Sequence, residues 1–173
     1  MKGVIISCLK ELVVKNGGKT LWSYIMNNCN LNENTPIYAN ENIEDEVALK
    51  LIVESAKVFN LTIAEFADVY GIYWVNDYAA RIYKAYFIGI YDAKSFLLNM
   101  NEVHKLVVKK NPDSKPPNFT FEWKSENVLL INYLSDRGLI DIAVGLVKGV
   151  GKYFKETLKV KKLDNSFIEV IFQ

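Results

Sequence analysis

The residues of this 173-residue chain best suited to chemistry are its single histidine, His104, and the alternating triplet Tyr133, Ser135 and Arg137. An imidazole on an apolar helix face is most often a packed residue whose nitrogens find backbone partners. It is also a good iron ligand, and haem asks the protein for only one proximal side chain. Tyr133-Leu134-Ser135-Asp136-Arg137 reads as the end of an extended segment. Period-two spacing puts phenol, hydroxyl and guanidinium on one side, where they could converge on a carboxylate. Alone, such a triplet is usually a solvated strand face.

Helical spacing positions the histidine. Leu97, Met100, His104, Val107 and Val108 share one face of a helix over Phe96 to Val108, which points His104 inward. Lys109-Lys110 and then Asn111-Pro112 end that helix with a basic turn and a breaker. Phe119, Phe121 and Trp123 alternate with polar residues, Ser125 to Asn127 turn, and Val128 to Tyr133 return as a hairpin. From Leu139 to Phe154 the helical period resumes through Ile142, Ala143, Leu146 and Val150. Gly145, Gly149 and Gly151 each weaken that helix by roughly 1 kcal/mol relative to alanine, so a closely approaching neighbour or a flat ligand is expected there. Thr157 to Lys162 and Phe167 to Phe172 form a second hairpin.

The first part of the chain reads as helices. Val4, Ile5, Cys8, Leu9 and Leu12 repeat with helical spacing until Gly17-Gly18; Thr20 caps a second helix to about Cys29. An Asn-rich loop with Pro36 follows, then a helix with an acidic first turn at Glu44-Asp45-Glu46. Thr62 and Glu65 form a capping box ahead of a strongly aromatic stretch in which Trp74 and Tyr78 stand out. Helices first and a sheet afterwards make an α+β chain.

Composition narrows the function. The 21 basic and 20 acidic residues nearly cancel, which argues against nucleic acid as a partner. No apolar run approaches the ~20 residues of a membrane span, and Lys10 and Glu11 interrupt the start before it resembles a signal peptide, so a cytoplasmic protein without membrane insertion is expected. Cys8 and Cys29, with one histidine, are too few for a zinc site; a disulfide between them is possible but unusual in a reducing compartment. The same scarcity leaves no convincing catalytic set, so an enzyme is not expected.

Taken with the Met1-Lys2-Gly3 opening, Met100-Asn101-Glu102-Val103-His104 and the Lys115-Pro116-Pro117 turn, the Tyr-x-Ser-x-Arg motif is far more specific. From Met1 to about Phe154 the chain resembles the haem nitric oxide and oxygen binding family, the H-NOX domains, which includes the sensor domain of soluble guanylate cyclase. The resemblance implies one sensor domain over residues 1–173, with a helical subregion to about residue 60 and the ligating helix, four-stranded antiparallel sheet and C-terminal helix beyond it, haem b (iron protoporphyrin IX) lying between them. It implies His104 as proximal iron ligand, and Tyr133, Ser135 and Arg137 as holders of the propionates. Pro117 matches the proline that distorts the macrocycle, and Ile5, Leu9, Trp74, Tyr78, Met100, Ile142 and Leu146 would line the pocket. Oxygen binding in the family goes with a tyrosine on the glycine-bearing helix; Ile142 stands there, so nitric oxide, and carbon monoxide less tightly, are the expected ligands. Release of His104 would signal to a histidine kinase or a cyclic-di-GMP enzyme. An oxygen-binding H-NOX sensor, with Trp74 or Tyr78 as donor, and a haem-free interaction domain are the alternatives.

Overall fold

Residues 1–173 are described by a computed structural model, in which Met1–Phe66 and Ala67–Gln173 form two units. In the first, the apolar period of the N-terminus becomes α1 (Gly3–Asn28), burying Ile6, Leu9 and Val13 before a kink and Trp22, Ile25 and Met26 after it. The kink is at Gly18, whose φ of 76° is the left-handed conformation glycine adopts without a Cβ penalty. Two helical segments thus meet at Gly18, as the Gly17-Gly18 pair implies, the second running to Asn28. α1 packs against α2 (Asp45–Val58), which presents Ala48, Leu51, Ile52 and Ala56 and places Asp45 and Glu46 at the positive end of its dipole. Cys8 and Cys29 are both buried free thiols.

The capping box forms as read: Thr62 Oγ1 accepts from the Glu65 N–H at 3.2 Å, and the Glu65 carboxylate accepts from the Thr62 N–H at 2.9 Å. The Thr62 N–H, together with the Thr62 hydroxyl donating to the same carboxylate at 2.8 Å, holds the Glu65 carboxyl below its ordinary range, and the box starts α3 (Ile63–Tyr73). That helix runs on through a π-helical turn, Trp74–Ala79, into the short α4 (Ala80–Ile82).

In the second unit, α5 (Ala93–Leu98) and α6 (Met100–Lys110) precede β1 (Asn118–Ser125) and β2 (Val128–Leu134). Then come α7 (Ile140–Phe154), β3 (Leu158–Lys162) and β4 (Phe167–Phe172). All neighbouring strands are antiparallel, in the order β1-β2-β4-β3. A helix-rich N-terminal region followed by a four-stranded antiparallel sheet is the expected α+β class. Alternation decides the buried face: Leu129, Ile131 and Tyr133 of β2 and Ile168 and Val170 of β4 meet Ala143, Val147 and Val150 of α7. The edge strand β3 exposes Lys159 and Lys161, which discourages further strand pairing. No helix is long and apolar enough to cross a membrane.

Two expectations are corrected. The helix read from Phe96 to Val108 is broken at Asn99, where α5 ends and α6 begins. Asp92 Oδ1 accepts from the Ser95 N–H at 2.6 Å and Glu156 Oε1 from the Ala93 N–H at 2.9 Å, so α5 is a separately capped element. Leu97 is buried, but α6 has no fully buried residue, and His104 is half-buried at the edge of the core. Secondly, β2 ends at Leu134. Ser135 lies beyond the strand and Arg137 in a turn before Gly138, whose φ is 63°. The triplet is therefore not one strand face; the turn, not the pleat, aims Arg137.

Candidate functional site

The imidazole of His104 is oriented by a single bond: Nδ1 lies 2.8 Å from the Pro117 carbonyl oxygen. A carbonyl can only accept, so Nδ1 carries the hydrogen and the lone pair is left on Nε2. Burial holds the imidazole below its ordinary range of ionisation, against the opposing pull of the Pro117 bond, which keeps the ring neutral. A neutral ring with its second nitrogen fixed is what a metal ligand requires.

One turn earlier on α6, Asn101 clamps the helix to β1. Its Nδ2 donates to the Phe119 carbonyl at 2.7 Å and its Oδ1 accepts from the Phe119 N–H at 2.9 Å. The Phe119 ring lies 5.8 Å from His104 and 6.0 Å from Tyr133, its partner in the β1–β2 register. The loop between α6 and β1 ties in the last member: the Arg137 guanidinium donates to the Lys115 carbonyl, two residues from the carbonyl that holds His104. Ser135 Oγ accepts from the Arg137 N–H at 3.3 Å. His104, Pro117, Tyr133, Ser135 and Arg137 are thus brought together around one loop and one phenyl ring.

Apart from Met100, which is on α6 beside Asn101, the remaining sequence-derived residues lie elsewhere. Trp74 stacks on Tyr78 with centroids 5.4 Å apart across the π-helical turn, and lies 6.1 Å from Tyr70. Trp74, Met100 and Leu146 are partly covered and pack on the core of the second unit; Tyr78 is buried and Ile142 half-buried. Leu9 is fully buried and Ile5 half-buried within the first unit.

The glycines of α7 answer to a neighbouring backbone. A Cβ on Gly145 would sit 2.0 Å from the Ala67 carbonyl oxygen, and one on Gly71 would sit 2.1 Å from the Gly145 carbonyl carbon. Gly149 meets the Gly71 oxygen in the same way at 2.6 Å, while Gly151 faces Leu158. Asp68 and Lys148 pair at 2.5 Å across this crossing, and Asn76 Nδ2 donates to both Ile72 and Gly149 carbonyls at 2.9 Å. Of the two explanations open for these glycines, the close neighbour is the one realised at Gly145 and Gly149.

Sequence reasoning missed Asn101, Asn76 and the π-helical turn. Asn101 had a usable signal, a polar residue three positions before His104 on the same side of the helix; the turn had none, since a π-bulge leaves no periodic mark.

No three His, Cys, Asp or Glu side chains are grouped to hold a bare metal ion. A lone, neutral, pre-oriented imidazole beside an arginine suits iron that brings its own equatorial ligands and carboxylates. The haem-NO-binding (HNOB) family model matches residues 2–162. The chain belongs to this family. H-NOX domains bind haem and form a gas-sensor family related to soluble guanylate cyclase. This H-NOX chain is 24% identical to soluble guanylate cyclase gcy-35 of Caenorhabditis elegans over 167 residues, 94% of the chain and 24% of that protein. It is 24% identical to gcy-32 of the same organism over 157 residues, 88% of the chain and 23% of the relative. The chain thus spans about a quarter of the length of the curated relatives it matches. Among solved structures, an H-NOX protein from S. oneidensis in the Fe(II)NO ligation state superposes with a TM-score of 0.88 at 19% identity, covering 100% of this chain and 99% of the other. An oxygen-binding H-NOX domain related to soluble guanylate cyclases gives 0.82 at 20% identity, covering 100% and 95%. At these identities the likeness is one of fold.

Proposed function

We propose that this chain is a single H-NOX sensor domain over residues 1–173 that binds nitric oxide, and carbon monoxide less tightly, on haem b held by His104, and excludes oxygen. The observation that carries the reading is the bond from His104 Nδ1 to the Pro117 carbonyl, which reserves Nε2 for iron. When bound, ferrous haem supplies the centre at which diatomic gases are captured. Tyr133, Ser135 and Arg137 hold the propionates: the guanidinium, anchored on Lys115 next to the histidine loop, is the cation whose planar fork suits a carboxylate. Pro117 takes two roles, contacting the macrocycle and fixing the imidazole.

Selectivity follows from what the opposite wall offers. Bound dioxygen gains much from a distal donor, whereas nitric oxide binds strongly without one. Ile142 cannot donate, and both amide hydrogens of Asn76 are committed to backbone carbonyls. Trp74 and Tyr78 form an aromatic wall there with Leu146 as apolar lining, while Met100 lines the His104 side from α6.

Release of His104 would pass the signal on through α6, which Asn101 ties to the sheet. The receiver is a histidine kinase or a cyclic-di-GMP enzyme in the cytoplasm, and the domain itself is a sensor without catalysis of its own.

The test is the absorption spectrum of the reduced, haem-loaded protein without oxygen, in air, and with nitric oxide. A spectrum unchanged by air and shifted by nitric oxide is expected. A stable complex in air overturns the selectivity and assigns a donor to Trp74 or Tyr78; failure to take up haem overturns the sensor reading and leaves an interaction domain.

A further inference from the structure

Strand β1 lies at an edge of the sheet, and its register turns the main chain of Phe119 toward the open side. Phe119 stands opposite Tyr133, but the Tyr133 N–H donates to the Ser166 carbonyl at 2.7 Å, away from β1. Opposed residues of an antiparallel pair either exchange both bonds or turn both sets of groups outward, so Phe119 presents its N–H and C=O at the edge. Asn101 takes the place of a further strand there, with bonds of 2.7 and 2.9 Å to the Phe119 carbonyl and N–H. A side-chain amide carries its donor and its acceptor on separate atoms, which matches that pair of groups; aspartate offers acceptors alone.

The same clamp belongs to the frame that orients the imidazole. Asn101 and His104 are about one helical turn apart on α6, and their bonds end two residues apart, at Phe119 and Pro117. The Phe119 ring itself lies 5.8 Å from the His104 ring. Because α6 has no fully buried residue, these polar ties rather than deep packing set where it sits along β1. A bond from Nδ1 to the Pro117 carbonyl aims Nε2 only while helix and carbonyl keep their relative positions. We propose that Asn101 is a positioning residue for His104: by fixing α6 against β1 it keeps Nε2 aimed, strengthens its bond to iron and sets how readily nitric oxide detaches it. This rests on the haem reading given above and adds to it a residue that acts only through the main chain of a neighbour. Partners that hold a metal-binding histidine from behind govern its affinity for the metal as well as its orientation.

The experiment compares wild type with Asn101→Asp, which keeps the acceptor and loses the donor, and with Asn101→Ala, which loses both. Val103→Ala, which trims a half-buried side chain of the same helix, is the control. His104 is the only histidine, so its ring nitrogens give an unambiguous NMR signal in the haem-free protein. Wild type and Val103→Ala should show the Nδ1–H tautomer, and both Asn101 variants a mixture of the two tautomers. In the reduced, haem-loaded proteins the iron–histidine stretching frequency in resonance Raman should fall in both Asn101 variants. Nitric oxide should detach the histidine from them about tenfold faster than from wild type, the scale on which a partner behind a metal ligand acts. Val103→Ala should match wild type in both measurements. Asn101 variants that keep the wild-type tautomer, frequency or rate overturn the proposal, as does a Val103→Ala that shifts as far as they do, because the clamp then serves stability alone. A higher frequency or a slower detachment overturns it too. Wild type that takes up no haem, or shows no iron–histidine band, overturns the sensor reading and this inference with it; wild type that shows the band beside unmoved Asn101 variants overturns this inference alone.

Discussion

The crossing of α3 with α7 and the attachment of α6 to β1 are built on opposite principles. At the crossing, Gly71, Gly145 and Gly149 bring backbone onto backbone, with no side chain between that could yield. At the attachment, a helix with no fully buried residue is held by Asn101 and His104 through three hydrogen bonds to Phe119 and Pro117. Steric contact of main chains is stiff, because relief requires moving a whole helix. A few polar contacts on a half-exposed helix can break and re-form singly. On the proposed reading, His104 is mounted on the yielding element, and Ile142 and Leu146 on the stiff one, the arrangement a sensor needs if its histidine is to move.

The contrast can be broken at several points. His104→Gly should abolish iron ligation while leaving the apo-protein folded, and added imidazole should restore the spectrum; an unchanged haem spectrum would remove His104 from its role. Gly145→Ala should cost about 2–3 kcal/mol in chemical denaturation, because its Cβ meets the Ala67 oxygen at 2.0 Å. A smaller loss would mean that the crossing is softer than its geometry implies. Arg137→Ala should weaken haem retention by about 1.5–3 kcal/mol, read as faster transfer to apomyoglobin, with wild-type retention counting against the carboxylate clamp.

Asn101→Ala removes two bonds to Phe119 and should cost about 1–2 kcal/mol of stability. It should also raise hydrogen exchange in α6 selectively; uniform exchange would deny α6 its independence. The smallest effect is that of pH. Because burial lowers the ionisation range of His104, the unfolded chain takes up a proton that the folded apo-protein resists, so stability should fall as pH drops below about 6.5 and level off above it. His104→Gly should flatten that dependence.

Much of this was legible in local patterns. The apolar periods of α2 and α7, the Thr62–Glu65 capping box and the alternation of β2 each depend on neighbours a few positions away, so composition and spacing determined them. The residue types of the candidate site were legible for the same reason: one histidine and a Tyr-x-Ser-x-Arg motif need no third dimension to be noticed. Three things were decided only in space. The Pro117 carbonyl that selects the His104 tautomer lies 13 residues away, and no pattern announces a main-chain acceptor. The glycines of α7 had two explanations until Ala67 and Gly71 were found against them. The end of β2 at Leu134 turned a supposed strand face into a loop-borne arginine. Sequence by itself determined which groups are available and where helix and strand occur, though not the break at Asn99 or the end of β2, because local preference follows from short-range sterics and burial. Tertiary structure decided which nitrogen is free, which backbone touches which, and where a charge is aimed, because these depend on contacts between segments distant in the chain.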